Sequence, residues 1–375
     1  MNAYESRDLN PPRFADVWLL GVTFLLVVFG VVMIYSTTGI MAQEKLSDNL
    51  FYVKKQAAAA VIGCVLMYLF SRIDIELLRR YSGLLLPVSL VFLILTLIPG
   101  IGDSGGGAQR WIKLGFFRFQ PGEFVKLIFV IYMAGYYARH EGRLGFFVDG
   151  ICKPLGFIAV VGALLLAQPD FGSTAIIAGV VMCMGAAAGM SLFYLAMGGG
   201  ALASAMAVMV IISPYRLGRI MSFLSPMSDT AGKGYQLIQS LIAVGTGQIA
   251  GAGLGASKQK LFFLPAAHTD FIFAVISEEL GFIGGVALIA AFFFFMYRGL
   301  KVASRVADDT FAFSLAVGMT MLVALPALLN VGVVIGLLPT KGMVLPLVGY
   351  GGSSLIACLM GVGILLSIAR SAYRA

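Results

Sequence analysis

Long apolar runs constrain this sequence more than any other feature. A helix needs about 20 apolar residues to cross a bilayer, and lipid demands that every backbone polar group be paired. Ten segments meet or approach that length, near residues 15–36, 56–71, 81–100, 122–138, 154–168, 172–189, 191–213, 270–297, 310–335 and 353–370. The sequence therefore predicts an all-α polytopic membrane protein with about ten transmembrane helices. Nine is the alternative, if the short fifth segment and the sixth form a partly re-entrant pair.

Composition supports the same class. The chain is 59% hydrophobic and 12% charged, with a mean hydropathy of +0.94, which is typical of a membrane protein rather than a soluble one. We expect residues 1–375 to form a single integral membrane domain, with the first apolar run retained as a helix. The net charge of +8 suits anionic headgroups or an anionic substrate. The basic residues are scattered among apolar segments, so no nucleic acid partner is expected. The four cysteines show no disulfide or metal-ligand spacing, and we interpret them as packing residues.

The distribution of basic residues predicts the orientation. Short connections after the second, fourth, eighth and tenth segments are basic, which marks the cytoplasmic side and places both termini there. Residues 72–80 are amphipathic and basic, and predict an interfacial helix on that side. The opposite side then holds a loop at 101–121 and a large extracytoplasmic loop at about 214–269, between helices 7 and 8. Topology does not require the many cations of these two loops, so they are candidates for binding a ligand.

Residues 258–271 concentrate polar side chains at the start of the eighth apolar segment. They include Lys258, Lys260, His268 and Asp270. A general base beside cations that hold a phosphate leaving group would need these residue types. Simpler alternatives are a histidine that only forms ordinary hydrogen bonds and an Asp270 that only caps the eighth helix.

Other polar residues lie at the ends of predicted spans. Arg110 beside Trp111 offers a guanidinium for phosphate and an aromatic face for a sugar, although a flexible loop with an interfacial tryptophan would look the same. Glu123 and Lys126 share a helix face and form either a structural or a functional pair. Asp170 either caps the sixth helix or reaches into a cavity.

Adjacent glutamates lie in the eighth apolar segment. Glu278 and Glu279 point to different helix faces, so we do not expect them to form one acid/base pair.

Seven motifs, in this order along the chain, together resemble the SEDS family (shape, elongation, division and sporulation), whose members include FtsW, RodA and SpoVE. The motifs are Gly107-Ala108-Gln109-Arg110-Trp111-Ile112, Phe119-Gln120-Pro121-Gly122-Glu123, Pro169-Asp170-Phe171-Gly172, Gly234-Tyr235-Gln236, Ser257-Lys258-Gln259-Lys260, His268-Thr269-Asp270-Phe271-Ile272-Phe273-Ala274 and Tyr350-Gly351-Gly352-Ser353-Ser354. The sequences at residues 232–236 and 257–265 resemble those of FtsW and SpoVE more than that of RodA.

The resemblance implies a peptidoglycan glycosyltransferase that polymerises lipid II at the outer face of the bacterial cytoplasmic (inner) membrane. It implies a class B penicillin-binding protein as transpeptidase partner, other division proteins as further partners, and a location at the division septum. It also implies that Asp270 matches an essential aspartate and Trp111 a required tryptophan. Arg110, Glu123 and Lys126 match positions associated with activity or integrity.

The resulting hypothesis is an inverting glycosyl transfer with Asp270 as general base on the acceptor sugar hydroxyl. Arg110, Lys258 and Lys260 would neutralise the departing pyrophosphate, with a divalent cation (Mg²⁺ or Mn²⁺) as an optional cofactor and no predicted protein metal site. His268 would orient Asp270. Two alternatives stay open: a lipid II flippase, which needs buried polar residues continuing inward, and a non-catalytic division scaffold.

The sequence departs from the family pattern at a few positions. The family usually has serine at the positions of Gly122 and Gly349, glutamate at that of Ala266, and a glycine pair where Gly247-Gln248 stands. These departures concern loop detail and regulation rather than the reaction.

Overall fold

The computed structural model describes residues 16–100, 102–105, 108–114, 117–226, 233–260 and 263–372. Its helices are α1 Val17–Leu46, α2 Phe51–Phe70, α3 Ile75–Tyr81, α4 Leu85–Leu97, α5 Pro121–Arg139, α6 Lys153–Ala167, α7 Phe171–Ala187, α8 Leu192–Ile212, α9 Pro214–Leu224, α10 Lys233–Thr246, α11 Ile272–Ser304, α12 Thr310–Val334 and α13 Gly352–Ser371. Its strands are β1 Gly102–Gly105, β2 Ala108–Leu114 and β3 Phe117–Phe119.

The predicted all-α membrane architecture is confirmed, with a helix at each of the ten predicted positions. Across the described residues, eight helical stretches are long and apolar enough to cross a membrane, and α7 is a shorter apolar helix. The one remaining predicted span corresponds to α5, which has 19 residues and contains the Glu123–Lys126 pair. The basic segment at 72–80 contains α3, which continues through a 3-10 turn at Ser82–Leu84 into α4.

Helices α12 and α13 form the centre of the bundle. Both are largely buried, whereas α8 exposes nearly all of its apolar length. Helix α12 contacts α5, α7, α11 and α13, and its buried residues are almost entirely apolar or small. A helix that is apolar all round in a membrane protein can face either protein or lipid. Burial distinguishes the two cases here: α8 is an outer helix that faces lipid, and α12 is a core helix.

A small sheet covers part of one end of the bundle. Strands β1, β2 and β3 are antiparallel, with Asp103 opposite Trp111 and Ile112 opposite Phe119. The Asp103 carboxylate lies 3.1 Å from Lys113 and 3.4 Å from Arg118. The sequence analysis treated this glycine-rich segment only as a loop.

The large loop between α8 and α11 is partly helical and partly inserted against α11. Helix α11 is broken at Gly281, which has a φ of 69°. Residues of the loop supply hydrogen bonds at the break: the amide of Ala252 donates to Glu278 O (2.9 Å), and that of Phe282 donates to Gln248 O (2.8 Å). A Cβ on Gly247 would lie 1.9 Å from Ser277 O, so only glycine permits this approach. The loop thereby pairs backbone groups that the break leaves free.

Candidate functional site

Asp270 lies at the loop end of the bundle. We define this end by the described residues of 98–100, 102–105, 108–114, 117–120, 168–170, 213–226, 233–260, 263–271 and 335–351. Its backbone oxygen accepts a hydrogen bond from Asn330 Nδ2 at 2.8 Å. Its carboxylate lies against Gly342, where a Cβ would be 2.7 Å from Oδ2. Helix α11 begins after Phe271, its N-cap, and receives no side-chain cap. The alternative that Asp270 merely caps this helix is therefore wrong.

Asn330 helps to hold Asp270 in place. It is 1% exposed, and its Nδ2 also donates to Met343 O at 2.6 Å, so one side chain joins α12 to both segments of the site. Asn330 was not predicted from the sequence. The signal was a lone asparagine within an apolar run, which is costly in lipid unless it has partners.

Burial and two arginines set the acidity of Asp270. Burial raises the pKa of its carboxyl to about 6, although the positive charges of Arg219 and Arg110 act in the opposite direction. A carboxyl with this pKa is mostly ionised at neutral pH, yet it can still accept a proton. Such a value suits a general base.

Both arginines are fixed by neighbouring segments. Arg110 Nε donates to Gln168 O at 3.1 Å, and its Nη2 donates to Pro169 O. Gln168 is the C-cap of α6, so Arg110 satisfies carbonyls at a helix end, where a cation is favoured. Arg219 donates to Thr340 O at 3.3 Å. Arg219 belongs to the cations of the large loop, and its place at the site was not predictable because its neighbour Thr340 is distant in sequence.

A second polar group lies at the same end of the bundle. Asp170 accepts hydrogen bonds from Ser173 N (3.2 Å) and Ser173 Oγ (2.7 Å), which confirms that it caps α7. Glu123 and Lys126 form an ion pair of 2.7 Å in which each side chain is 12% exposed, as their spacing predicts. Asp170 is near enough for its charge to act on Lys126.

Lys258 and Lys260 contact the two adjacent glutamates of α11. The Lys260 ammonium is 2.8 Å from Glu279 Oε1, and the two side chains are 4% and 0% exposed. Lys258 is exposed, and its backbone amide donates to Glu278 Oε1 at 3.0 Å. The charge of Lys260 is therefore already balanced by Glu279 inside the protein.

His268 and Trp111 contribute aromatic surface. The His268 ring lies 5.4 Å from that of Tyr52 and 5.8 Å from that of Tyr350. Burial, aided by the charge of Lys45, lowers the pKa of His268, so its imidazole is neutral at pH 7. Trp111 is half-buried in β2.

The described residues include no group of three or more His, Cys, Asp or Glu side chains placed to hold a metal ion. An optional divalent cation therefore has no ligand set made by the protein alone in that part of the chain. We assign no step to it.

The departures from the family pattern differ in their structural consequences. A Cβ on Gly122 would make an ordinary 3.7 Å contact with Leu165, so a serine would fit there. A Cβ on Gly349 would lie 2.7 Å from Val344 Cγ1, so this turn is built around glycine. Ala266 has a φ of 56°, and its oxygen accepts the amide of Asp270 at 3.2 Å. Ala266 thus forms the turn that presents Asp270.

Comparisons with known proteins place the chain in one family. The FtsW/RodA/SpoVE family model, described as "Cell cycle protein", matches residues 17–374. A probable peptidoglycan glycosyltransferase FtsW from Trichlorobacter lovleyi is 44% identical over 362 residues, covering 96% of this chain and 94% of that protein. The stage V sporulation protein E of Bacillus subtilis is 38% identical over 355 residues, covering 95% and 97%.

Solved structures of similar proteins support the same family assignment. A chain from a study entitled "Structural coordination of polymerization and crosslinking by a peptidoglycan synthase complex" superposes with a TM-score of 0.78 and 29% identity, covering 97% of this chain and 100% of that one. The rod shape determining protein RodA of Thermus thermophilus gives a TM-score of 0.71 and 26% identity, covering 97% and 99%. This chain belongs to the FtsW/RodA/SpoVE family of cell cycle proteins.

Proposed function

We propose that this chain is a peptidoglycan glycosyltransferase that polymerises lipid II at the outer face of the cytoplasmic membrane during cell division. One observation carries the proposal: a half-buried carboxyl, Asp270, has a pKa of about 6 and lies within the field of Arg110 and Arg219. Relatives named as probable peptidoglycan glycosyltransferases support the same reaction.

Asp270 acts as the general base. Its carboxylate takes the proton from the 4-hydroxyl of the acceptor N-acetylglucosamine as that oxygen attacks the anomeric carbon of the donor sugar. The bond from this carbon to the pyrophosphate oxygen breaks, and the electron pair leaves with undecaprenyl pyrophosphate. One glycosidic bond forms, one glycosyl phosphate bond breaks, and the proton remains on Asp270 until solvent removes it. Proton transfer of this kind contributes about 10²–10⁴-fold to a rate.

The arginines stabilise the negative charge that develops on the pyrophosphate. Fixed cations aimed at a developing charge need little reorganisation during the reaction, and both guanidinium groups are already held by backbone carbonyls. Arg110 was predicted for this role and Arg219 is added to it. Lys260 is left out, because its charge is already paired with Glu279.

The contacts of two buried glutamates favour an enzyme over a flippase. From the sequence, Glu278 and Glu279 were the charged residues on α11 that could continue a polar route inward from Asp270. Glu278 accepts hydrogen bonds from the Ser257 hydroxyl and the Lys258 amide, while Glu279 binds Lys260 and Ser36. These carboxylates bind residues of the large loop to α11, so they are not available to line a polar route for a lipid headgroup across the membrane.

The partner and location follow from the same proposal. One structural relative comes from a peptidoglycan synthase complex that coordinates polymerization and crosslinking. We therefore assign this chain a class B penicillin-binding protein as transpeptidase partner, a place in the inner membrane with both termini in the cytoplasm, and a role at the division septum.

The test compares Asp270→Asn with a matched control, Asp48→Asn. Asp48 lies in the short connection between α1 and α2, where it pairs with Lys54 at 2.9 Å. With the transpeptidase partner present, Asp270→Asn should lower lipid II polymerisation by about 10²–10⁴-fold, or about 3–5 kcal/mol of barrier, and Asp48→Asn should be unaffected.

A lipid II flip assay on the same preparations separates the alternatives. Polymer synthesis by Asp270→Asn at the wild-type rate would overturn the assignment of the base. Flipping without polymerisation by the wild-type protein would instead establish the transporter alternative.

A further inference from the structure

Lys341 is a cation that the proposed mechanism does not yet use. It lies between α12 and α13, one residue before Gly342, which contacts the Asp270 carboxylate. Its ammonium is 5.0 Å from the centroid of the Phe171 ring and 3.5 Å from Phe171 O. A Cβ on Gly172 would be 3.2 Å from Lys341 Cε. The side chain is therefore packed along the start of α7 rather than free in solvent.

The surroundings of Lys341 leave its charge without a close counter-ion. Among the described residues, the ion pairs within 4.0 Å do not include Lys341. The nearby charged groups are Asp170 on α7, Lys126 on α5 and Arg219 on α9. Lys126 is paired with Glu123, and Asp170 is hydrogen-bonded to Ser173. Burial lowers the pKa of Lys341 to about 8.

A half-buried ammonium with an incomplete set of partners is costly unless a ligand completes the set. The charges of two further cations, Lys126 and Arg219, act on Lys341, and the one opposing charge, Asp170, accepts hydrogen bonds from Ser173. This excess of positive charge favours an anionic ligand. A compact ammonium with three donors is a common phosphate ligand.

We propose that Lys341 binds a phosphate group of the lipid-linked substrate, next to Asp270. This inference rests on the proposed function and adds a substrate-binding residue to it. One pyrophosphate site then has three cations, which come from three separate segments of the chain: Lys341, Arg219 and Arg110. The Phe171 ring holds the ammonium in place, since a cation over an aromatic face is attracted by it.

The experiment measures inhibition by undecaprenyl pyrophosphate, the released product, together with KM for lipid II. Losing one hydrogen-bonded charge should raise both constants by about 10- to 100-fold in Lys341→Met and Lys341→Gln. Lys341→Arg, which keeps the charge, should recover most of the affinity. Lys54→Met is the control, because Lys54 is an exposed lysine, 64% accessible, with a surface partner.

A pH series distinguishes binding from a merely structural role. Product affinity of the wild-type protein should weaken above pH of about 8 as Lys341 loses its proton, and Lys341→Arg should keep its affinity there. Wild-type constants in Lys341→Met or Lys341→Gln, or a pH dependence that Lys341→Arg leaves unchanged, would overturn the inference.

Failure of the proposed function would look different. In that case Asp270→Asn would still make polymer. If only the present inference fails, Asp270→Asn is inactive while the Lys341 variants bind product as the wild-type protein does.

Discussion

Removing one partner of the buried Lys260–Glu279 ion pair should strongly reduce stability. Lys260 Nζ contacts Glu279 Oε1 (2.8 Å), Gly255 O (2.7 Å) and Ser36 Oγ (3.2 Å). Lys260→Met keeps a similar volume but leaves a fully buried carboxylate without its cation. Removing one partner of a buried pair costs about 3–5 kcal/mol. We expect Lys260→Met to lose that much free energy of unfolding in detergent.

A double-mutant cycle identifies the source of the loss. Replacing a whole buried ion pair by neutral groups is often close to neutral, so Lys260→Met/Glu279→Gln should recover most of the stability, and the coupling between the two sites should be large. The control is Lys54→Met, whose pair with Asp48 lies on the surface, so this change should leave the free energy of unfolding nearly unaltered.

The reasoning would be refuted by a stable Lys260→Met variant with a raised inhibition constant for undecaprenyl pyrophosphate. That result would return Lys260 to the substrate-binding role predicted from the sequence.

Two further predictions concern Asp270. Because burial raises its pKa to about 6 and the ionised form is the base, polymerisation should fall about tenfold per pH unit below pH 6 and level off above it; a rate that is constant from pH 5 to pH 7 would contradict this. A Cβ on Gly342 would lie 2.7 Å from Asp270 Oδ2, so Gly342→Ala should displace the carboxylate. Because a small misplacement of a reacting group slows catalysis strongly, activity should fall by about tenfold to 100-fold. Gly352→Ala, whose Cβ would make an ordinary 3.4 Å contact with Ala59, should remain active; equal activity of the two variants would contradict the placement of Asp270.

The transmembrane helices could be predicted because lipid leaves few alternatives to an apolar helix. Their ends could not, since a helix can continue past its apolar run. Helix α1 ends at Leu46 rather than near residue 36, and α11 at Ser304 rather than near 297. Strands β1 to β3 were missed because their glycine-rich sequence is typical of loops as well.

The candidate site was predictable where local spacing carried the information. Glu123 and Lys126 are one helical turn apart, and their ion pair was expected. Lys260, in contrast, meets Ser36 from a distant helix, and Arg219 meets the segment that holds Lys341. Pairings between remote segments depend on packing, which a single sequence does not display.

Glycan strand synthesis from labelled lipid II is the most direct test of the central claim. The assay pairs this chain with a transpeptidase partner that has been inactivated, so crosslinking does not obscure the product. The wild-type chain should produce long strands, and Asp270→Asn should produce almost none, although both variants fold and bind the partner. Equal strand synthesis by the two, or none by the wild-type chain with its partner, would contradict the account.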